Sequence, residues 1–190
     1  MILIRNRKTI FIHIHRTGGS SMISLLKKAL PNQVDVIAQH GNASTMERKL
    51  LEKYPDYFVF SMVRNPWDRL LSWYSLLHKS DPQDLERDKL RFEEFLIEIA
   101  QDNGNDSFLL NQIDYFKNST HCIDNVTIYR FENYSEEVKK IAKQLQINIQ
   151  EIPRSNETLT KDYREYYTEK SKALVTEKCA SDIDYFGYLF

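Results

Sequence analysis

Residues 10–21 of this 190-residue chain read IFIHIHRTGGSS and are followed by the apolar-periodic stretch MISLLKKAL. The β-branched run predicts a strand, the two glycines predict a tight loop, and the periodic stretch predicts a helix. The first main-chain N–H groups of a helix have no acceptor within it, and the helix dipole adds positive potential at the same end. The segment therefore predicts an anion site of the kind that holds phosphate.

The side chains of this loop indicate an unusual phosphate site. Gly18 and Gly19 let the main chain approach a ligand closely, and Ser20 and Ser21 add hydroxyl donors. The loop is too short for the GxxxxGK[ST] pattern of phosphate-binding NTPases. Arg16 also precedes the glycines, whereas the NTPase lysine follows them. We therefore expect the loop to bind a phosphate, but not in the manner usual for ATP or GTP.

A second strand–turn–helix segment occupies residues 57–77, YFVFSMVRNPWDRLLSWYSLL. Its apolar strand ends at Val63, and Pro66 suits the first position of a helix. Arg64 is a cation at the strand end, and Ser72 follows about two helical turns later, so the two side chains can face the same way. An arginine and a serine placed in this way can hold a second phosphate by charge-assisted hydrogen bonds.

Short apolar segments alternate with helical patterns along the chain. The predicted strands are residues 10–14, 34–38, 57–63 and 126–129, and the predicted helices are residues 20–30, 44–53, 66–78, 84–101, 107–117, 135–146 and 163–184. This alternation predicts an α/β fold with a central parallel sheet flanked by helices. Ligands of such sheets bind at the carboxyl ends of the strands, where Arg16, His40 and Arg64 are expected to lie.

Length and composition are typical of one compact domain spanning residues 1–190, with 42% hydrophobic residues. The chain carries 26 basic and 27 acidic residues, which argues against a nucleic-acid partner. Met1–Ile4 is too short for a signal peptide, and no apolar run reaches the ~20 residues of a membrane span. We therefore expect a cytoplasmic protein without a membrane partner. Cys122 and Cys179 lack metal-ligand spacing and are expected to be reduced, structural thiols.

Together the two phosphate motifs, HRTGGSS and RNPWDRLLSWY, resemble those of sulfotransferases that use 3′-phosphoadenosine 5′-phosphosulfate (PAPS). The resemblance is nearest to the carbohydrate branch that includes heparan sulfate 2-O-sulfotransferase and its small bacterial relatives. Further similarity runs through residues 92–96, 128–141 and the closing DIDYFGYLF, so it covers nearly the whole chain. It implies a P-loop NTPase-like three-layer sandwich, transfer of a sulfuryl group to an acceptor hydroxyl, and no metal ion. The implied acceptor is a small molecule or a glycan, with a carbohydrate hydroxyl favoured, and the product is PAP.

The resemblance also implies roles for individual residues. The loop around the 5′-phosphosulfate comprises Arg16, Thr17, Gly18, Gly19, Ser20 and Ser21. Arg64 and Ser72 match the pair that grips the 3′-phosphate, while Asn156 and Lys161 lie in the segment that closes over the nucleotide. His40 stands where the family has the base that deprotonates the acceptor, and a neutral imidazole suits that task.

One position departs from the family at the site of the chemistry. The family usually has Pro-Lys before the Thr-Gly, where this chain has His15 and Arg16. The family lysine contacts the donor oxygens and helps the leaving phosphate to depart. Arginine keeps the charge but presents it as a planar fork. We therefore expect donor binding to survive, and we give Arg16 a catalytic as well as a binding role.

Two other functions stay open from the sequence. A small-molecule kinase with an atypical phosphate loop would bind ATP in a magnesium-dependent manner, although no Walker-type lysine is recognisable. A non-catalytic module that holds PAP or a similar nucleotide is consistent with the arginine at position 16. Such a module would bind PAP without transferring a sulfuryl group to any acceptor.

Overall fold

A computed structural model describes residues 1–40, 48–78, 84–101, 104–105, 108–116, 125–152 and 162–190. The chain divides into two compact units. The first comprises Met1–Arg64 and Ile113–Asn156, and the second comprises Asn65–Gln112 and Glu157–Phe190. A single functional domain over residues 1–190 stays a prediction.

Strands and helices alternate along the described residues. The strands are β1 (Ile2–Ile4), β2 (Thr9–Ile12), β3 (Val34–Val36), β4 (Phe58–Val63), β5 (Gly104–Asn105), β6 (Phe108–Leu109) and β7 (Val126–Arg130). The α-helices are α1 (Gly19–Ala29), α2 (Arg48–Lys53), α3 (Pro66–His78), α4 (Leu85–Gln101), α5 (Tyr134–Gln144), α6 (Glu169–Lys178) and α7 (Ala180–Phe186). Short 3₁₀ turns lie at Arg5–Arg7, Gln112–Tyr115, Phe131–Asn133 and Tyr163–Tyr166. Within this described part of the chain, no helix combines the length and the apolar character needed to cross a membrane.

The first unit is built on a five-stranded sheet with the order β3-β1-β2-β4-β7. β2 pairs in parallel with β4, and β4 pairs in parallel with β7. β1 is antiparallel to both β2 and β3, so β3 points in the same direction as β2. The carboxyl ends of β2, β3, β4 and β7 therefore share one edge of the sheet.

This mostly parallel sheet with its flanking helices confirms the predicted α/β fold class. The predicted strands correspond to β2, β3, β4 and β7 within two residues at each end. The sheet is not wholly parallel, however, because the sequence pattern does not predict β1. A strand of three residues is too short for a two-residue period to be read. Its conformation depends on pairing with β2 on one side and β3 on the other.

Helices α1 and α5 cover one face of this sheet. Both helices place apolar residues three and four positions apart, which gives each one an apolar stripe. The stripes pack on the apolar side chains of the strands to form the buried core of the unit. Its members are Ile2, Ile4, Phe11, Met22, Leu25, Leu26, Leu30, Phe60, Met62, Tyr129, Val138, Ile141 and Leu145.

The junction between β2 and α1 is the tightest packing in this part of the fold. A Cβ atom at Gly19 would overlap the imidazole of His13, and one at Gly18 would lie 2.7 Å from Tyr134 and 2.9 Å from Phe131. Gly18 also has φ = +78°, a left-handed conformation that favours glycine. Both glycines are therefore required for α1 to begin this close to the end of β2.

The second unit is organised around a buried charge. Arg69 on α3 is 0% exposed and donates hydrogen bonds of 2.9 Å to the carbonyl oxygens of Leu110 and Leu109. The main-chain N–H and the side-chain amide of Gln112 both donate to one carboxylate oxygen of Asp182, at 2.7 and 2.9 Å. These contacts hold residues 109–112 against α3 and α7.

The same contacts explain why the helix predicted at residues 107–117 is wrong. The main-chain groups that an α-helix would pair internally are bonded instead to Arg69 and Asp182. The helix predicted at residues 163–184 is also wrong as a single element, because it is a 3₁₀ turn followed by α6 and α7. Thr168 and Ser171 form a reciprocal capping box that starts α6 afresh.

We expect Gly19→Ala to lower the free energy of unfolding by about 3 kcal/mol, because the added methyl group meets the buried His13 ring. Gly187→Ala is the matched control, since nothing lies within 4 Å of an added Cβ there but φ is +65°. Its left-handed backbone alone should cost about 1 kcal/mol. Urea denaturation of both variants measures the difference. Equal losses would contradict a steric role for Gly19.

Candidate active site

The carboxyl edge of the sheet collects the candidate functional residues of the first unit. The loop after β2 contributes residues 13–21, and the segments that follow β3, β4 and β7 contribute the remainder. These further residues are His40, Arg64, Phe131 and Tyr134. The site is thus assembled from four segments that are distant in sequence.

The loop between β2 and α1 turns through two left-handed residues, Arg16 at φ = +64° and Gly18 at φ = +78°. A positive φ is uncommon for a non-glycine residue, and such strain is retained mostly at functional loops. The hydroxyl of the buried Thr17 donates to the carbonyl oxygen of Ile14 at 2.9 Å. Thr17 therefore stabilises the turn with its side chain, and its main-chain amide is the group suited to a ligand.

The rings of Phe131 and Tyr134 pack against the loop at Gly18. Burial raises the pKa of Tyr134 to about 12, so its hydroxyl stays protonated. Ser21 forms a hydrogen bond with that hydroxyl, which in turn contacts the Gly18 carbonyl oxygen at 3.4 Å. Our sequence reasoning missed both aromatic residues, although they follow β7 directly, at the carboxyl edge where ligand loops are supported.

Two arginines meet at this edge of the sheet. Arg64 Nη1 donates to the carbonyl oxygen of Arg16 at 3.2 Å, and the Arg64 guanidinium carbon lies 4.4 Å from the centroid of the Phe131 ring. Burial, and then the positive charge of Arg64, lower the pKa of Arg16. Like charges held together in this way favour a ligand with several negative charges, which offsets their repulsion.

Three histidines cluster beside the loop. The ring centroid of His40 lies 3.3 Å from that of His15 and 4.4 Å from that of His13. Burial, and then the neighbouring His40, lower the pKa of His13 to about 3, so the His13 ring is neutral near pH 7. On the other side of the cluster, His15 Nδ1 lies 3.1 Å from the Tyr115 hydroxyl. The cluster therefore continues inward to a buried phenol.

The path of the main chain explains how His40 reaches β2 from a strand that is not adjacent to it. The N–H groups of Ile37 and Ala38 both donate to the carbonyl oxygen of Met1, at 3.1 and 3.2 Å. The amino group of Met1 donates to the carbonyl oxygen of Ala38. These bonds turn the chain after β3 across the end of β1 and carry residue 40 towards β2.

The predicted site residues have three different outcomes in the structure. The model brings together Arg16, Thr17, Gly18, Gly19, Ser20, Ser21, His40 and Arg64 in the first unit. Ser20 is exposed at the start of α1, whereas Ser21 is buried. Ser72 is buried on α3 in the second unit. Asn156 and Lys161 lie outside the described residues.

This arrangement combines groups suited to anion binding with an imidazole beside them. The helix N-terminus, the loop amides and two guanidinium groups can bind phosphate or sulfate oxygens. The adjacent imidazole of His40 can accept a proton from a hydroxyl group. A site of this composition can hold an anionic donor and transfer its terminal group to a hydroxyl.

Comparison with known proteins gives a family. No curated protein matches the sequence significantly. The model of a family described as the sulfotransferase family matches residues 2–188, almost the whole chain of 190 residues. The match includes both the glycine loop after β2 and the arginine after β4, which are the segments that form the anion site. The chain therefore belongs to the sulfotransferase family.

Proposed function

We propose that this protein is a PAPS-dependent sulfotransferase that transfers a sulfuryl group to an acceptor hydroxyl, with His40 as the base. The observation that carries the proposal is the hydrogen bond from Arg64 to the Arg16 carbonyl oxygen, which places two arginines at a glycine loop in a chain of this family. A lone phosphate needs only one such cation. Two cations suit a donor with anionic groups at two positions.

The described residues fit the chemistry of this donor. The Cβ positions of Gly18 and Gly19 are occupied by the side chains of Tyr134, Phe131 and His13, so only glycines fit there, and we assign the N–H groups of this loop to the donor. We assign residues 16–21 to the 5′-phosphosulfate, and Arg64 with Ser72 to the 3′-phosphate. Asn156 and Lys161 complete the proposed nucleotide contacts. No residue is assigned to a metal ion.

The chain's own groups supply acid–base and electrostatic assistance. Bound PAPS supplies the sulfuryl group that is transferred. His40 accepts the proton of the acceptor hydroxyl as that oxygen becomes a nucleophile. Arg16 and the N–H groups at the start of α1 stabilise the negative charge that develops on the leaving phosphate. Because these donors are held in place before reaction, little reorganisation is needed when the charge appears.

For the acceptor we propose a carbohydrate hydroxyl, on the likeness of the motifs to the carbohydrate branch of the family. The fold itself does not select a substrate, so this choice depends on the site alone. A screen with ³⁵S-labelled PAPS would compare oligosaccharides with phenols and small alcohols. Transfer to phenols alone would overturn the carbohydrate assignment and leave the sulfotransferase reaction intact.

Donor recognition is tested by calorimetry with PAP, AMP and ATP, with and without EDTA. We expect PAP to bind most tightly and its affinity to be unchanged by EDTA. Arg64→Ala should weaken PAP by about 10- to 150-fold, the cost of a lost charged hydrogen bond. AMP, which lacks the 3′-phosphate, should lose much less.

Arg5→Ala is the matched control for this experiment. Arg5 also carries a guanidinium group but lies at the opposite edge of the sheet, paired with Asp35 at 3.0 Å. The control should bind PAP as the wild type does. Equal losses of PAP and AMP affinity in Arg64→Ala would show that Arg64 does not bind the 3′-phosphate. Tight ATP binding that needs magnesium would favour a kinase instead.

Substitution of the proposed base should separate turnover from binding. We expect His40→Ala to lower kcat by about 10²–10⁴-fold with PAP affinity nearly unchanged, since a base acts only in the chemical step. His78→Ala is the control, because His78 is an exposed histidine on α3. Steady-state kinetics with the acceptor from the screen measures both. Undiminished turnover in His40→Ala would place the base elsewhere.

Arg16 should act mainly in the transition state. We expect Arg16→Ala to lower kcat more than donor affinity, because the charge that Arg16 meets develops during transfer. Arg16→Lys should keep or improve turnover, since the family has lysine at this position. Kinetics and PAP calorimetry on both variants decide the matter. Wild-type turnover in Arg16→Ala would show that the loop amides suffice and that the side chain only holds the donor.

A further inference from the structure

We propose that His15, anchored by Tyr115, is a positioning residue that fixes the imidazole of His40 for proton transfer. The proposal rests on the function proposed above. It gives a role to His15 and Tyr115, two residues that lie outside the proposed phosphate loop at residues 16–21. His15 contacts neither the proton nor the sulfuryl group in this role. It acts through the ring that it packs against.

The contact between the two imidazoles is direct. Their centroids are 3.3 Å apart and their planes make an angle of 23°, which is a stacked arrangement. His13 lies against the same ring at 4.4 Å with a tilt of 48°. His13 and His15 both follow β2 within three residues, and both rings contact His40. His40 thus packs against two rings that β2 and its continuation present together.

The segment that carries His40 is irregular. His40 lies in a turn four residues beyond the end of β3, and the bonds to Met1 end at Ala38. A side chain on an irregular segment keeps one orientation only when its neighbours hold it. The stacked ring of His15 restricts the tilt of His40.

His15 is itself fixed from the interior. It is 8% exposed, and its partner Tyr115 is 1% exposed. The 3.1 Å contact between His15 Nδ1 and the Tyr115 hydroxyl sets the rotation of the His15 ring about its side-chain bond. Tyr115 itself belongs to the 3₁₀ turn at residues 112–115. The orientation of His40 is therefore connected through His15 to the buried part of the unit.

His13 adds no positive charge to the histidine cluster near pH 7, because burial lowers its pKa to about 3. The cationic groups on the loop side are Arg16 and Arg64. The neutral, buried ring of His13 and the anchored ring of His15 together hold the imidazole of His40. Positioning within a fraction of an ångström matters because small displacements of a catalytic group cost up to about 100-fold in rate.

A spectroscopic test requires no acceptor. Histidine Cε1–H signals are recorded by NMR and assigned with single His→Ala variants. We expect the His40 signal to carry a ring-current shift from the stacked His15, and this shift to disappear in His15→Ala. Tyr115→Phe, which removes only the hydroxyl group, should change it partly. His78→Ala should leave it unchanged. A His40 signal that is the same in His15→Ala and wild type overturns the proposal.

The kinetic test separates positioning from binding and from direct chemistry. We expect His15→Ala to lower kcat by about 10- to 100-fold with PAP affinity nearly unchanged, and His15→Phe, which restores a stacked ring, to recover most of the loss. Tyr115→Phe should lower kcat in the presence of His15 but have no further effect in His15→Phe, because the two residues then no longer act together.

The outcomes distinguish this proposal from the function on which it rests. Wild-type turnover in His15→Ala overturns the positioning role alone, as does a parallel loss of PAP affinity, which would make His15 a donor-binding residue. A His15→Phe variant as slow as His15→Ala would make the ring nitrogens essential and overturn it as well. Wild-type protein that binds no PAP and transfers no sulfuryl group overturns the proposed sulfotransferase reaction itself, and the positioning role with it.

Discussion

The close approach of α1 to the end of β2 is the constraint on which the site depends. It exists because Gly19 has no side chain to overlap the His13 ring, and because Gly18 leaves space for Phe131 and Tyr134. The approach aims the N-terminus of α1 along the carboxyl edge of the sheet. It also brings the loop amides and the Arg16 carbonyl to the position where Arg64 can donate a hydrogen bond. Packing and anion binding thus require the same two glycines.

The site combines electrostatic features that would be unfavourable without a ligand. Arg64 donates to the main chain of Arg16, and burial and then the charge of Arg64 lower the pKa of Arg16. The loop that carries Arg16 includes a left-handed arginine backbone. Structures keep such strained and repulsive arrangements where function needs them. An anionic donor would relieve the repulsion between the two arginines. The relief of this repulsion would then contribute to the free energy of ligand binding.

The antiparallel strand β1 changes how the histidines meet. It separates β3 from β2 in the sheet, and neighbouring strands are about 4.8 Å apart. A residue after β3 is therefore two strand spacings away from the loop that it must reach. The hydrogen bonds of residues 37 and 38 to Met1 redirect the chain across that gap. The N-terminal residues consequently contribute to the position of the proposed base as well as to the sheet.

The sequence by itself determined the elements whose signals are local. The glycine loop, the arginine after β4 and the apolar periods of α1, α3, α4 and α5 could be located within two residues, because each depends on neighbours in the chain. Tertiary contacts decided the rest. β1 is a strand only because it pairs on both sides. Residues 108–116 form no α-helix, because Arg69 and Asp182 take main-chain hydrogen bonds of residues 109, 110 and 112. The stack of His40 on His15, and the anchor at Tyr115, join three segments separated by 25 to 100 residues. No local pattern encodes such a contact, since its energy appears only after the sheet has brought those segments together.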